Sequence, residues 1–286
     1  MASLTLTSDI CEIITKYIQK PRYELLDWID IEKLDWNFIS VNPNAIKLLK
    51  ENQDKINWYF LSRNPNAIEL LRENQDKIDW YSLSLNPGAI EILKENQDKI
   101  NIEVLSSNSG AIKLLTKNKI NWYWLSANPS AIELLNKNQD NIDWCELCKN
   151  PNAIDLLQEN QDKINWMNLS LNPKAIKLLK TNQDKIDWVL LSSNEEAIEI
   201  LSKNKNRINW HLLSRNPGAI EILSSNQDKI NWFELCKNPN AIDLLQENQD
   251  KINWSMLSSN PSIFKKIDDN KSKEIIQKIL EIILIN

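Results

Sequence analysis

Residues 57–78 read NWYFLSRNPNAIELLRENQDKI, and this phrase of 22 residues returns along most of the chain. Trp stands at 36, 58, 80, 122, 144, 166, 188, 210, 232 and 254; Ile102 fills the same frame, and a two-residue deletion before Asn121 shortens one step to 20. Self-similarity at a fixed period marks a repeat architecture. In such an array each unit extends one continuous core instead of closing a domain of its own.

The phrase reads as two capped helices. Asn64-Pro65 combines a preferred N-cap with the residue favoured at the first helical position. Ala67, Ile68, Leu70 and Leu71 follow at helical spacing, so a medium helix is predicted from Pro65 to about Glu73. Asn74 should end it in the left-handed conformation that Asn tolerates. Gln75-Asp76-Lys77 form a connector, and Ile78 plugs the core. Asp79, always Asp or Asn in this frame, starts a second, shorter helix that puts Trp80, Leu83 and Ser84 on one face.

Helix axes pack about 8–10 Å apart, too far for one Asn side chain to bond its copy in the next repeat. The frame asparagines are therefore expected to cap backbone locally. The fold class that follows is an all-α solenoid of about eleven 22-residue short-helix/medium-helix units over residues 36–270. The alternative is a leucine-rich-repeat horseshoe, imitated by Ile56-x-x-Tyr59-x-Leu61-x-x-Asn64; it is opposed by Glu103, His211 and Ser255 in the Tyr59 position, where a buried strand residue would be needed.

The ends depart from the phrase, as solenoid caps do. Residues 1–35 are read as an N-terminal cap and lead-in, with Ile10, Ile13, Ile14, Tyr17 and Ile18 on one helical side before Pro21. Residues 271–286 are read as a C-terminal capping helix whose apolar run, Leu280 to Ile285, offers a route to self-association.

Composition narrows the function classes. The formal net charge is −5 with both signs dispersed, which argues against a nucleic-acid phosphate ligand. No run approaches the roughly 18 apolar residues of a membrane span, and no secretory signal opens the chain, so an intracellular setting with reduced thiols is expected. Gly88, Gly110 and Gly218 share one repeat position, which leaves no phosphate-cradling loop.

Local motifs dissolve into the frame. Cys145-x-x-Cys148 resembles a redox or zinc motif, but Cys148 and Cys236 occupy the position that is Ser62, Ser84 or Ser170 elsewhere, and no ligand-spaced partner set accompanies it. His211 stands where other repeats carry Tyr59, Tyr81, Tyr123, Met167, Val189 and Phe233, with no positioned partner for base catalysis. Residues 146–166 are identical to residues 234–254, a copied block unlike a site built once. No catalytic, metal or cofactor residues are assigned, and the chain is expected not to be an enzyme. The variable residues after each Trp carry the candidate partner-binding surface: Tyr59, Phe60, Tyr81, Tyr123, Trp124, Met167, His211 and Phe233. Such aromatics are enriched at interaction sites.

The phrase NPNAIxLLxENxDKInWxxLSxNPNAI resembles the tandem repeats encoded by giant DNA viruses of amoebae, over residues 36–270, and the lead-in from Leu25 to Trp36 resembles them too. In shape the unit is similar to the leucine-rich-variant repeat, which alternates a short and a longer helix. The resemblance implies a viral origin and a place in the host cytoplasm or the virion; it supplies no activity. Proteins of this kind sometimes carry an N-terminal F-box that recruits a host ligase, and residues 8–20 match one only faintly. The expectation is a non-enzymatic scaffold for protein–protein interaction. The alternatives are a structural or virion-associated protein without a discrete ligand, and a helical-repeat nucleic-acid reader, which the acidic charge disfavours.

Overall fold

The computed structural model describes residues 21–115 and 120–267. Of the expected capping segments, residues 1–20 of the N-terminal one and all of the C-terminal one, 271–286, lie outside the described residues. The representative unit contains a Trp-helix (Trp58–Ser62), an Ile-helix (Ile68–Glu73) and a 3-10 connector (Gln75–Lys77). Apart from two three-residue strands, the described chain is helix and turn, which excludes the horseshoe.

The caps form largely as the residue types dictate. Asn57 accepts a hydrogen bond from the Phe60 amide at 3.3 Å and starts the Trp-helix; Asp79 does the same for Ser82 at 2.8 Å. Leu61, Ala67, Leu70, Leu71 and Ile78 of this unit are buried in a core that runs through every repeat. Two expectations are corrected. The α-helix begins at Ile68 and not at Pro65, because Asn64 spends its side-chain oxygen on the amide two residues on, at Asn66, and so caps a turn over Pro65. Asn74 is not left-handed: its φ is −134°, and it finishes the helix by donating its side-chain amide to the Leu70 carbonyl at 3.0 Å. Where the two-residue deletion falls, the Ile-helix shrinks to one 3-10 turn, Ile112–Leu114.

The repeats are stitched by two side chains, a Ser or Cys that accepts from the next repeat and an Asn that donates to the preceding one. Ser62 Oγ donates to the Trp58 carbonyl at 2.7 Å and accepts from the Asp79 amide of the next repeat at 3.0 Å. Asn64 Nδ2 donates backward to the Ser40 and Asn42 carbonyls of the preceding repeat, at 3.0 and 2.9 Å. The expectation of local capping alone thus captured one half of this amide. The other half reaches across because Asn-Pro sits in a turn, and turn backbones approach more closely than the helix axes on which the expectation rested. One amide carries a carbonyl acceptor and two N–H donors, enough to serve both tasks.

The array closes on itself. The backbone amide of Asp35 donates to Ser258 Oγ at 2.9 Å, and Asn42 Nδ2 donates to the Ser258 and Asn260 carbonyls at 3.0 Å each. With Asn57 on Ser40 and its successors through Asn253 on Cys236, these bonds complete a cycle of eleven joints. The closing unit is assembled from both ends. The C-terminal side supplies the helix Trp254–Ser258 and the Asn260-Pro261 turn; the N-terminal side supplies the connector Ile31–Lys33 and the buried core plug Leu34. In place of an Ile-helix, strand β1 (Tyr23–Leu25) pairs antiparallel with β2 (Phe264–Lys266), Glu24 facing Lys265. The described part of the lead-in, residues 21–35, is therefore the clasp of a ring and not the cap of an open end.

Successive units meet in two layers, one of Trp-helices and one of Ile-helices. Trp36–Val41 packs backbone to backbone against Trp58–Ser62 on one side and, across the seam, against Trp254–Ser258 on the other. Successive Ile-helices are spanned by long side chains, Lys50 to Glu69 at 3.3 Å and Arg72 to Glu95 at 3.0 Å.

Candidate interaction surface

Each Trp-helix is about one turn long and spends its Trp, Leu and Ser on the core. The residue directly after Trp must then face outward. Tyr59, Tyr81, Tyr123, Met167, Val189 and Phe233 are 45–51% exposed, and Asn37, Glu103, Cys145 and His211 are exposed in the same position. Because the position repeats, these side chains form one row around the Trp-helix layer.

The second residue after Trp behaves differently. Phe60 is half-buried, with its ring 5.9 Å from Phe38 of the preceding repeat and 5.3 Å from Tyr59. Ser82, Val104, Glu146, Asn168 and Glu234 are buried there. Of the expected surface, Phe60 is withdrawn into inter-repeat packing, whereas Trp124 stays exposed, edge-on to Tyr123 at 5.1 Å. The variable pair is thus one exposed row and one packed row.

The copied block places a buried carboxylate behind the exposed row twice. Glu146 accepts from Lys149 Nζ at 2.6 Å and is hydrogen-bonded by Tyr123, a contact that raises the pKa of Tyr123; the same carboxylate raises that of Lys149. Glu234 accepts from Lys237 at 3.0 Å, but its Tyr123 counterpart is His211, whose Nε2 stops 3.9 Å away. Glu234 Oε2 is buried without a partner. His211 Nδ1 lies 3.0 Å from Asn231 Nδ2, which must donate, so Nδ1 accepts. The described contacts of this cluster, Asn231 to His211 and Lys237 to Glu234, join one repeat to the next and one helix turn to its neighbour.

The two cysteines of the C-x-x-C have separate surroundings. Cys148 is buried in the serine position; its thiol donates to the Trp144 carbonyl at 3.1 Å and accepts from the Asn165 amide at 3.3 Å. Burial pushes its pKa up to about 11, the reverse of the lowered value a redox thiol needs. Cys145 is exposed in the surface row and is unpaired. Among the described residues no group of three His, Cys, Asp or Glu side chains is placed to hold a metal, and no helix is long and apolar enough to cross a membrane.

A second ladder lines the ring. In nine of the ten in-frame tryptophans a cation from the following connector lies over the indole, from Lys163 on Trp144 at 4.1 Å to Arg207 on Trp188 at 5.2 Å. The ladder crosses the seam, where Lys33 covers Trp254 at 5.0 Å. Within the array each cation stands 19 residues after its Trp, and that spacing was readable in the sequence.

No family model, no curated relative and no solved structure matches this chain.

Proposed function

We propose that the chain is a non-enzymatic scaffold that binds protein partners along the exposed row after each Trp. The observation that supports this reading is the row itself: large apolar side chains held half in solvent at one repeated position, on helices that have no role for them in the core. Scattered exposed apolar residues are ordinary, whereas a contiguous exposed set marks interaction sites. The ring presents the row on a rigid frame, which lowers the ordering cost of binding. The resemblance to giant-virus repeats carries with it the host cytoplasm or the virion as the compartment.

The test is site-specific photo-crosslinking in the native setting. A crosslinker at Tyr81 or Phe233 should trap a partner that one at Lys47, on an Ile-helix, does not, and Tyr59, Tyr81 and Tyr123 changed together to Ser should abolish the trapped species. Equal trapping at both positions, undiminished by the triple change, would remove the reading.

A further inference from the structure

Trp122 is the one in-frame indole that no cation covers among the described residues. The connector residue 19 positions on covers eight of the other indoles as Lys or Arg, and Lys33 covers Trp254 across the seam; here it is Asn141. Asn141 is exposed, too short to reach across an indole, and neutral. The local charge changes with it: Gln-Asp-Lys becomes Gln139-Asp140-Asn141, leaving Asp140 without the neighbouring ammonium. Trp122 also borders an open cleft of about 630 Å³ with Ile102, Glu103, Ile120 and Asn121, where Ile102 stands in place of a Trp. Glu103 adds a second carboxylate to this stretch of the ring. The exposed Tyr123–Trp124 pair follows directly.

We propose that the Trp122 indole is a binding site for a cationic side chain, a lysine or arginine supplied by a partner protein. The chemistry of the occupant is given by the molecule itself. Nine equivalent sites are filled by a tethered ammonium or guanidinium at 4.1–5.2 Å, so the same surroundings at Trp122 are shaped for a cation that the described residues do not provide. The electron-rich face of an indole attracts such groups, and alkylated ammonium ions in particular. A single face binds weakly, so the site contributes register to a larger contact: it marks one repeat among eleven near-identical ones and fixes where along the ring a partner's basic residue docks.

The experiment is a titration of the ¹⁵N-labelled protein with tetramethylammonium chloride, against sodium chloride at matched ionic strength, read on the Trp indole N–H signals. The Trp122 signal should shift selectively while the lysine- and arginine-covered indoles stay. Asn141→Lys should abolish the shift, and Lys163→Asn should create a second responsive signal at Trp144; retained dispersion of the remaining indoles reports that each variant is folded. A shift shared by all indoles, or one untouched by Asn141→Lys, overturns the site. The inference rests on the scaffold reading only for the source of the cation. A selective titration with no partner trapped by the crosslinker keeps the site and removes the scaffold. A trapped partner indifferent to Asn141→Lys keeps the scaffold and overturns the assignment of its lysine or arginine to Trp122.

Discussion

The amide of Asp35 donates to Ser258 Oγ across 223 positions of sequence, at the 2.9 Å found for Asn209 on Ser192 within the array. The seam is thus chemically the same as the joints between consecutive repeats. The last Trp-helix thus meets the first through the same bonds as any other neighbouring pair, while the β1–β2 pair marks where the two ends join.

This equivalence predicts equal sensitivity. Ser258→Ala removes the acceptor of the Asp35 amide as Ser192→Ala does for Asn209. Each should destabilise by about 1–3 kcal/mol, the cost of a buried polar group left unpaired. Urea unfolding of the two variants checks it; a Ser258→Ala variant as stable as the parent would separate the seam from the other joints.

The buried glutamates give an opposed pair. His211→Tyr should supply Glu234 Oε2 with the hydroxyl that Glu146 receives from Tyr123, and stabilise by about 0.5–1.5 kcal/mol. Tyr123→Phe should destabilise, because it leaves the Glu146 carboxylate as Glu234 is now. Thermal unfolding of both variants reads the two signs.

Thiol chemistry separates the cysteines. Cys145 should alkylate readily at pH 8 in the folded protein, whereas Cys148 and Cys236, buried and with raised pKa, should resist until unfolding. The raised folded-state pKa of Cys148, about 11 against 9.0, sets the sign of its pH dependence. Its contribution is intact below pH 9 and is lost as pH rises toward 11, because the unfolded thiol ionises first. Cys148→Ser should flatten that alkaline loss and remain folded, since serine fills the position in most repeats.

How much of this was legible in the sequence differs by layer. The core positions Leu61, Ala67, Leu71 and Ile78 and the N-caps Asn57 and Asp79 follow from spacing and residue type, because burial and orphan amides act locally. The exposed Tyr59 row followed from the same helical geometry, but the burial of Phe60 did not, since it depends on how near Phe38 of the adjacent repeat comes. Closure was hidden because a period fixes the unit and not the angle between units. One trace of it existed: Ile31-Glu32-Lys33-Leu34-Asp35-Trp36 is a connector with no Ile-helix before it, which fits the last repeat, whose Ile-helix gives way to β2. The backward reach of Asn64 was missed because helix-axis spacing was applied to a turn.

Closure of the ring is the claim on which the account turns, and Glu24 and Lys265 test it most directly. They face each other in the β1–β2 pair, where directly opposed Cα atoms lie about 4.5–5.5 Å apart, within the span of a disulfide. In a chain with Cys11, Cys145, Cys148 and Cys236 changed to Ser, Glu24→Cys with Lys265→Cys should oxidise to a monomeric, intramolecular disulfide that raises thermal stability. Thiols that stay free under oxidation, or that crosslink only between molecules, would contradict a closed ring.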